Sequence, residues 1–242
     1  MFITTDGLVL REKNIGENDR LITVLTRDCG IVEAFASGVK SIKSKRGSGT
    51  SLLAFSNFLL QKKNDTYRVS EATAKNIFME AGSDLTVLTV AQYFCELAEL
   101  IAPRESGAET VLRLLLNSLH FLTEKKKDPY LLKAVTELRL FAISGYCPNL
   151  VACSSCGKFE EEPMFFDPSD GSLTCADCGK DGLPLNRTVL SAMRHIVYAE
   201  FNRLYAFEIP AADAKYLSEV SERYILYQTD HRFKTLEFLH SL

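Results

Sequence analysis

The chain carries two closely spaced cysteine pairs, Cys153-x2-Cys156 and Cys175-x2-Cys178, with eighteen residues between them. A CxxC loop lets two sulfurs face one point, and two such loops at ribbon spacing supply the four thiolates of a tetrahedral zinc ion. Gly157 and Gly179 follow the pairs directly and relieve the backbone where its amides turn toward the sulfurs. Four thiolate donors close the coordination sphere and leave no position for an activated water. The expected cofactor is therefore one structural Zn2+. A zinc deaminase would need a His- or Cys-x-Glu segment ahead of its CxxC, and none is present. Thiol redox chemistry and an empty site are the competing readings, and redox chemistry fits a doubled pair at ribbon spacing poorly. Cys29, Cys95 and Cys147 are scattered and form no disulfide framework.

A second group of residues carries charge. The run "GVKSIKSKRGSG", Gly38–Gly49, holds Lys40, Lys43, Lys45 and Arg46 and no acid, in a chain of 242 residues with net charge -3. Residues 1–80 carry 12 Lys or Arg against 9 Asp or Glu, whereas residues 81–242 carry 16 against 22. A basic field on an acidic body implies an anionic partner for the first segment. The alternative is a solvated surface loop.

Elements must hold these groups in place. Up to residue 72 the chain reads as short strands: "LVLRE", "LITVLT", "IVEAFAS", "LLAFSNFLLQ" and "TYRVSEA". Asp28-Cys29-Gly30 and Asn64-Asp65 supply turn chemistry between two of the pairs. Five short strands with turns this close predict a small closed barrel of the OB type. From Ser83 the apolar period changes to three and four, with Leu88, Ala91, Phe94, Cys95, Ala98 and Ile101 on one face. Asp84 and Pro103 bound that helix; a second is predicted near 108–122, and a third opens at Asp128-Pro129 and closes at Gly145. After the cysteine segment, one helix opens at Asn186 and carries Val189 through Phe201 and Leu204. Another runs near 211–227, with Leu217, Val220, Tyr224 and Tyr227 on one stripe. The expected architecture is α+β: an N-terminal five-stranded OB-type β-barrel (1–80), then an α-helical domain (81–148 and 186–242) with an inserted four-cysteine zinc ribbon (149–185).

Several function classes find no support. There is no GxxxxGK phosphate loop, no HExxH and no GxSxG, and His120, His195, His231 and His240 are dispersed. The expectation is a non-enzyme. No apolar run approaches the ~18 residues of a membrane span, and "MFITTDGLVLREK" lacks a signal-peptide layout. A cytoplasmic protein is expected.

With these parts located, the sequence resembles the RecO family of bacterial recombination-mediator DNA repair proteins. The resemblance is carried by "ENDRLITVLTRDCGIVEAFASGVKSIKSKRG" (Glu17–Gly47), by "ELRLFAISGYCPNLVACSSCG" (Glu137–Gly157) and, more weakly, by the closing "FKTLEFL" (Phe233–Leu239). Thr136 stands where many members have an aromatic, and some members lack the ribbon cysteines that this chain keeps. The resemblance implies binding of single- and double-stranded DNA through the barrel, strand annealing, and nucleoid association. It also implies loading of RecA recombinase, with a RecR-type partner, onto DNA coated by single-strand-binding protein. Phosphate contacts then fall to Lys40, Lys43, Lys45 and Arg46, with Arg11, Lys13, Arg20, Lys62, Lys63 and Arg68 extending the surface. Phe35, Phe55 and Phe58 are expected in the core, which leaves Tyr67 as the stacking candidate. The family's contact with the acidic, Phe-ending tail of single-strand-binding protein implies a cationic rim, for which Lys133 and Arg139 are the candidates; the alternative is a pair of solvated helix charges. Two readings from other classes stand beside this one: a zinc-ribbon nucleic-acid adaptor in transcription or RNA metabolism, and a structural protein-interaction module.

Overall fold

A computed structural model describes residues 1–41, 44, 46–64, 66–78 and 84–242; Lys43 and Lys45 lie outside the described residues. The chain divides into two compact units, Met1–Glu124 with Thr235–Leu242, and Lys125–Lys234.

In the first unit, β1 (Phe2–Ile15) pairs with β2 (Asp19–Thr26), and β2 pairs with β3 (Gly30–Ala36). The β2–β3 turn closes on Gly30, whose φ is +67° and whose Cβ position would lie 2.1 Å from the Pro103 carbonyl oxygen. Only glycine fits there. Strands β4 (Ala54–Lys63) and β5 (Thr66–Ile77) form the remaining hairpin. A short parallel pairing of β3 with β5 and an antiparallel pairing of β4 with β1 close the barrel in the order β1-β2-β3-β5-β4. This is the OB-type barrel the sequence predicts.

Small and branched side chains fill the interior, among them Val9, Ile22, Val24, Val32, Ala34, Ala36, Leu60 and Val69. Of the three phenylalanines expected in the core, Phe58 is fully buried there, whereas Phe35 and Phe55 are only half-buried. The pleat decides this. Val32, Ala34 and Ala36 take the inward positions of β3, so Phe35 faces outward.

Helix α1 (Leu85–Ile101) starts where Asp84 Oδ1 accepts from the amides of Thr86 and Val87, at 2.9 and 3.2 Å. With α2 (Glu109–Thr123) it packs on β1 and β2, where the outward-facing Leu8, Thr23 and Leu25 are buried. The closing segment forms α6 (Lys234–Leu239), which docks through Thr235 Oγ1, donating to Glu96 Oε2 at 2.6 Å.

In the second unit, α3 (Pro129–Ile143) is capped by Asp128, and α4 (Arg187–Tyr198) by Asn186. The latter ends at Tyr198 and gives way to a separate turn at Phe201–Arg203, so it is shorter than its apolar pattern predicts. Helix α5 (Ala211–Thr229) buries Leu217, Val220 and Tyr224, but Tyr227, expected on the same stripe, is 65% exposed. Between α3 and α4 lies a three-stranded sheet of β6 (Met164–Asp167), β7 (Ser172–Cys175) and β8 (Leu183–Leu185), in the order β7-β6-β8. The β6–β7 hairpin leads from the first cysteine pair into the second. The three-residue β8 is too short to stand out in sequence.

Candidate nucleic-acid interface and metal centre

The basic run leaves β3 at the end of the barrel where β1 turns into β2, and it is fastened to that turn. Gly38 N donates to Asp19 Oδ1 at 2.7 Å, Lys40 N to the Asn18 carbonyl at 3.1 Å, and Arg20 Nη1 to the Gly47 carbonyl at 3.1 Å. Glu12 holds the same junction, 3.4 Å from Arg20 Nη1 and accepting from Leu52 N at 2.9 Å. Arg46 closes the run. Its Nη2 donates to the Ser37 carbonyl at 2.8 Å and its Nη1 to the Val69 carbonyl at 3.0 Å. Ser70 marks a bulge in β5, where the register against β4 shifts and leaves ladder carbonyls in need of a donor. The ends of the run are therefore fixed, and Lys40 stands exposed on it.

Next to this junction the outer face of the barrel carries one cross-strand row. Lys13 faces Leu21, Leu21 faces Phe35, Phe35 faces Arg68, and Arg68 faces Gln61. Lys13 and Arg68 are exposed and make no ion pair with a described residue. The neighbouring row, Arg11-Thr23-Glu33, differs: Arg11 is 2.8 Å from Glu99 and 3.7 Å from Glu33, so its charge is already offset. Lys62 lies over the Tyr67 ring, 5.2 Å from its centre, and Lys63 is exposed at the end of β4. Lys62 and Tyr67 line a cleft of about 220 Å³ together with Cys29, Glu33, Arg104 and Glu105. That cleft mixes both charges and opens beside the β2–β3 turn, at the other end of β2 from the basic run.

The two rim candidates in α3 are engaged inside their own unit. Lys133 is 1% exposed, with Nζ 2.9 Å from carboxylate oxygens of both Glu137 and Glu222 and donating to the Ser218 carbonyl at 3.3 Å. It is an internal cation held by acids from α3 and α5, and the expectation of a surface rim at Lys133 is corrected accordingly. Arg139 Nη1 donates to the Val197 and Ile196 carbonyls, at 2.6 and 3.3 Å, and so caps the last turn of α4.

The cysteines converge as their spacing predicts. Cys153, Cys156, Cys175 and Cys178 place their sulfurs within 4.8 Å of one another. Cys156 Sγ and Cys175 Sγ are 3.6 Å apart, close to the ~3.8 Å edge of a tetrahedron with ~2.3 Å zinc–sulfur bonds. The Cys156 backbone N–H is the main reason that the Cys153 thiol is pushed down to about 6, and Cys175 N also donates to Cys153 Sγ, at 3.4 Å. Hydrogen bonding to Cys156 pushes the Cys178 thiol up to about 12. Four thiolates so close together ionise fully only around a cation, and the donor set fits one soft divalent ion. Lys158 ties the two loops, 2.8 Å from Asp177 and 3.3 Å from Glu161.

The sequence reading missed two features of the first unit: the outward aromatic at Phe35 and the inward use of Arg46. The first had a signal, since small residues at 32, 34 and 36 mark the inner face of β3. The second had none, because its acceptors lie up to 24 residues away.

Comparison with known proteins bears on both units. A family model described as recombination protein O N terminal matches residues 1–78, and one described as recombination protein O C terminal matches residues 82–237. The chain is 30% identical over 244 aligned residues to a DNA repair protein RecO of Acetivibrio thermocellus, covering 100% of this chain and 97% of that one. It is 29% identical over 243 residues to the protein of the same name from Symbiobacterium thermophilum, covering 98% and 96%. Identity to the one from Desulfitobacterium hafniense is 31% over 224 residues, covering 90% and 81%.

Proposed function

Because the chain belongs to the RecO family of DNA repair and recombination proteins, we propose that it is a recombination mediator that binds single- and double-stranded DNA without sequence preference. It promotes annealing of complementary strands and, with a RecR-type partner, loads RecA recombinase onto DNA coated by single-strand-binding protein. The observation that supports this reading is the pinned basic run at Gly38–Gly49, beside a barrel row that exposes Lys13 and Arg68.

In this reading Lys40, Lys43, Lys45 and Arg68 contact phosphates, with Lys13 and Lys63 extending the track. Arg46, Arg20 and Arg11 build the surface instead, since their guanidinium groups are committed to protein carbonyls or carboxylates. Phosphate contacts carry no sequence information, so affinity should follow salt rather than sequence. The four cysteines hold a structural zinc ion, which supplies cross-linking and no reaction step. The protein acts in the cytoplasm, at the nucleoid, and not as an enzyme.

The test is annealing of complementary oligonucleotides precoated with single-strand-binding protein, followed by pairing with and without the RecR-type partner. Acceleration of annealing by the chain alone, and of RecA loading by the pair, is expected. No acceleration, together with no oligonucleotide binding in dilute buffer, would overturn the reading.

A further inference from the structure

We infer that Phe35 is a nucleobase-stacking platform that distinguishes single-stranded from double-stranded DNA; this rests on the DNA-binding reading above. Three observations carry it. First, Phe35 is an aromatic on the outer face of a strand whose inner positions are taken by Val32, Ala34 and Ala36. The barrel interior therefore has no need of the ring. Second, α1 and α2 pack on β1 and β2, and the outward residues Leu8, Thr23 and Leu25 are buried, whereas Phe35 in the next row keeps part of its surface in solvent. Third, the row is flanked by charge of one sign. Arg68 is the register neighbour of Phe35 on β5, Lys13 lies two strands away across Leu21, and both are exposed. Lys40 rises from the basic run that starts directly after β3.

An aromatic face between cations is the pattern that takes a base on the ring and phosphates on either side. A duplex offers the ring no free base face, because its bases are already stacked on one another. The row thus separates two kinds of contact. Lys13, Lys40 and Arg68 serve either form of DNA, and Phe35 serves only the unpaired form. The charge of this row complements a polyanion, and the acid nearest to it on the same face of β3, Glu33, is already paired with Arg11 at 3.7 Å. An acidic peptide ending in an aromatic residue is the other occupant with the right chemistry, and it enters as an outcome of the test.

The chain contains no tryptophan, so Phe35→Trp places one indole at the proposed contact. Titration with a thymidine oligomer should quench its emission, and titration with a blunt duplex should leave it within a few per cent. Phe35→Ala should lose about 5- to 150-fold in affinity for the oligomer, matching the ~1–3 kcal/mol of one base–aromatic stack. Affinity for duplex and the salt slope on duplex should stay within twofold. Circular dichroism melting and Phe35→Tyr, which should restore oligomer binding, control for a folding defect. Unchanged oligomer affinity in Phe35→Ala, an unquenched Phe35→Trp, or displacement of bound oligomer from this site by the acidic peptide would overturn the inference. Failure of the wild-type chain to bind either form of DNA would instead remove the reading on which it rests.

Discussion

Arg46 Nη1 donates to the backbone carbonyl of Val69 at 3.0 Å, at the bulge where β5 slips against β4, and Nη2 of the same guanidinium reaches the Ser37 carbonyl at 2.8 Å. One side chain thus joins the end of β3, the close of the basic run and the middle of β5. A residue that reads in sequence as a phosphate contact is in the fold a strut for its neighbours.

Arg46→Lys and Arg46→Ala should therefore behave alike. Lysine keeps the charge but lacks the fork that reaches both carbonyls. Each variant should lose about 1–3 kcal/mol of stability in denaturant unfolding, and exchange of the amides around residues 37–41 should quicken. Full protection of those amides in Arg46→Lys would contradict the strut role.

Lys133→Ala should destabilise the second unit by about 3–5 kcal/mol, because Glu137 and Glu222 would face each other without the ammonium between them. The measurement is a urea midpoint reported by Tyr224, which lies in the same helix as Glu222. A surface rim role predicts the opposite pattern: an unchanged midpoint and weaker binding of an acidic peptide.

Metal content should be one zinc per chain, released when a thiol-blocking mercurial reacts with the four clustered cysteines. Cys153→Ser should abolish stoichiometric zinc, and proteolysis should then cut first within 149–185. Structural zinc supplies folding free energy directly, so an unchanged melting curve after complete removal would contradict the structural assignment.

Acid should weaken the first unit through Asp28. Thr5 Oγ1 donates to Asp28 Oδ2 at 2.6 Å and, with help from Arg27, holds that carboxyl below its ordinary value. A depressed carboxylate contributes stability above its unfolded pKa of ~3.9 and loses it as pH falls through the lower folded value. The stability gap between wild type and Thr5→Val should thus be widest near neutrality and narrow below about pH 4. A gap that stays constant throughout the acid range would show that the hydrogen bond does not favour the ionised form.

Local signals were readable in sequence, and long-range partners were not. Asp84, Asp128-Pro129 and Asn186 open helices where their chemistry requires it, and the cysteine spacing converges on one point. These features depend on neighbours a few residues away or on a fixed ligand geometry. The burial of Lys133 depends on Glu222, which arrives from a different helix far along the chain, and the role of Arg46 depends on a bulge in another strand. Charge alone does not reveal whether its counterpart is solvent, a phosphate or a buried acid. Phe35 lies between these cases: strand periodicity marks it as outward, but the usual burial of phenylalanine pulls the reading inward.

The most direct measurement is the salt dependence of oligonucleotide binding by Lys40→Ala/Lys43→Ala/Lys45→Ala, followed by fluorescence anisotropy. Removing one phosphate contact from a single strand should lower the slope of log K against log salt by roughly 0.7, so the triple variant should show a slope shallower by about 2. A slope and affinity equal to those of the wild-type chain would place the nucleic-acid grip elsewhere on the molecule.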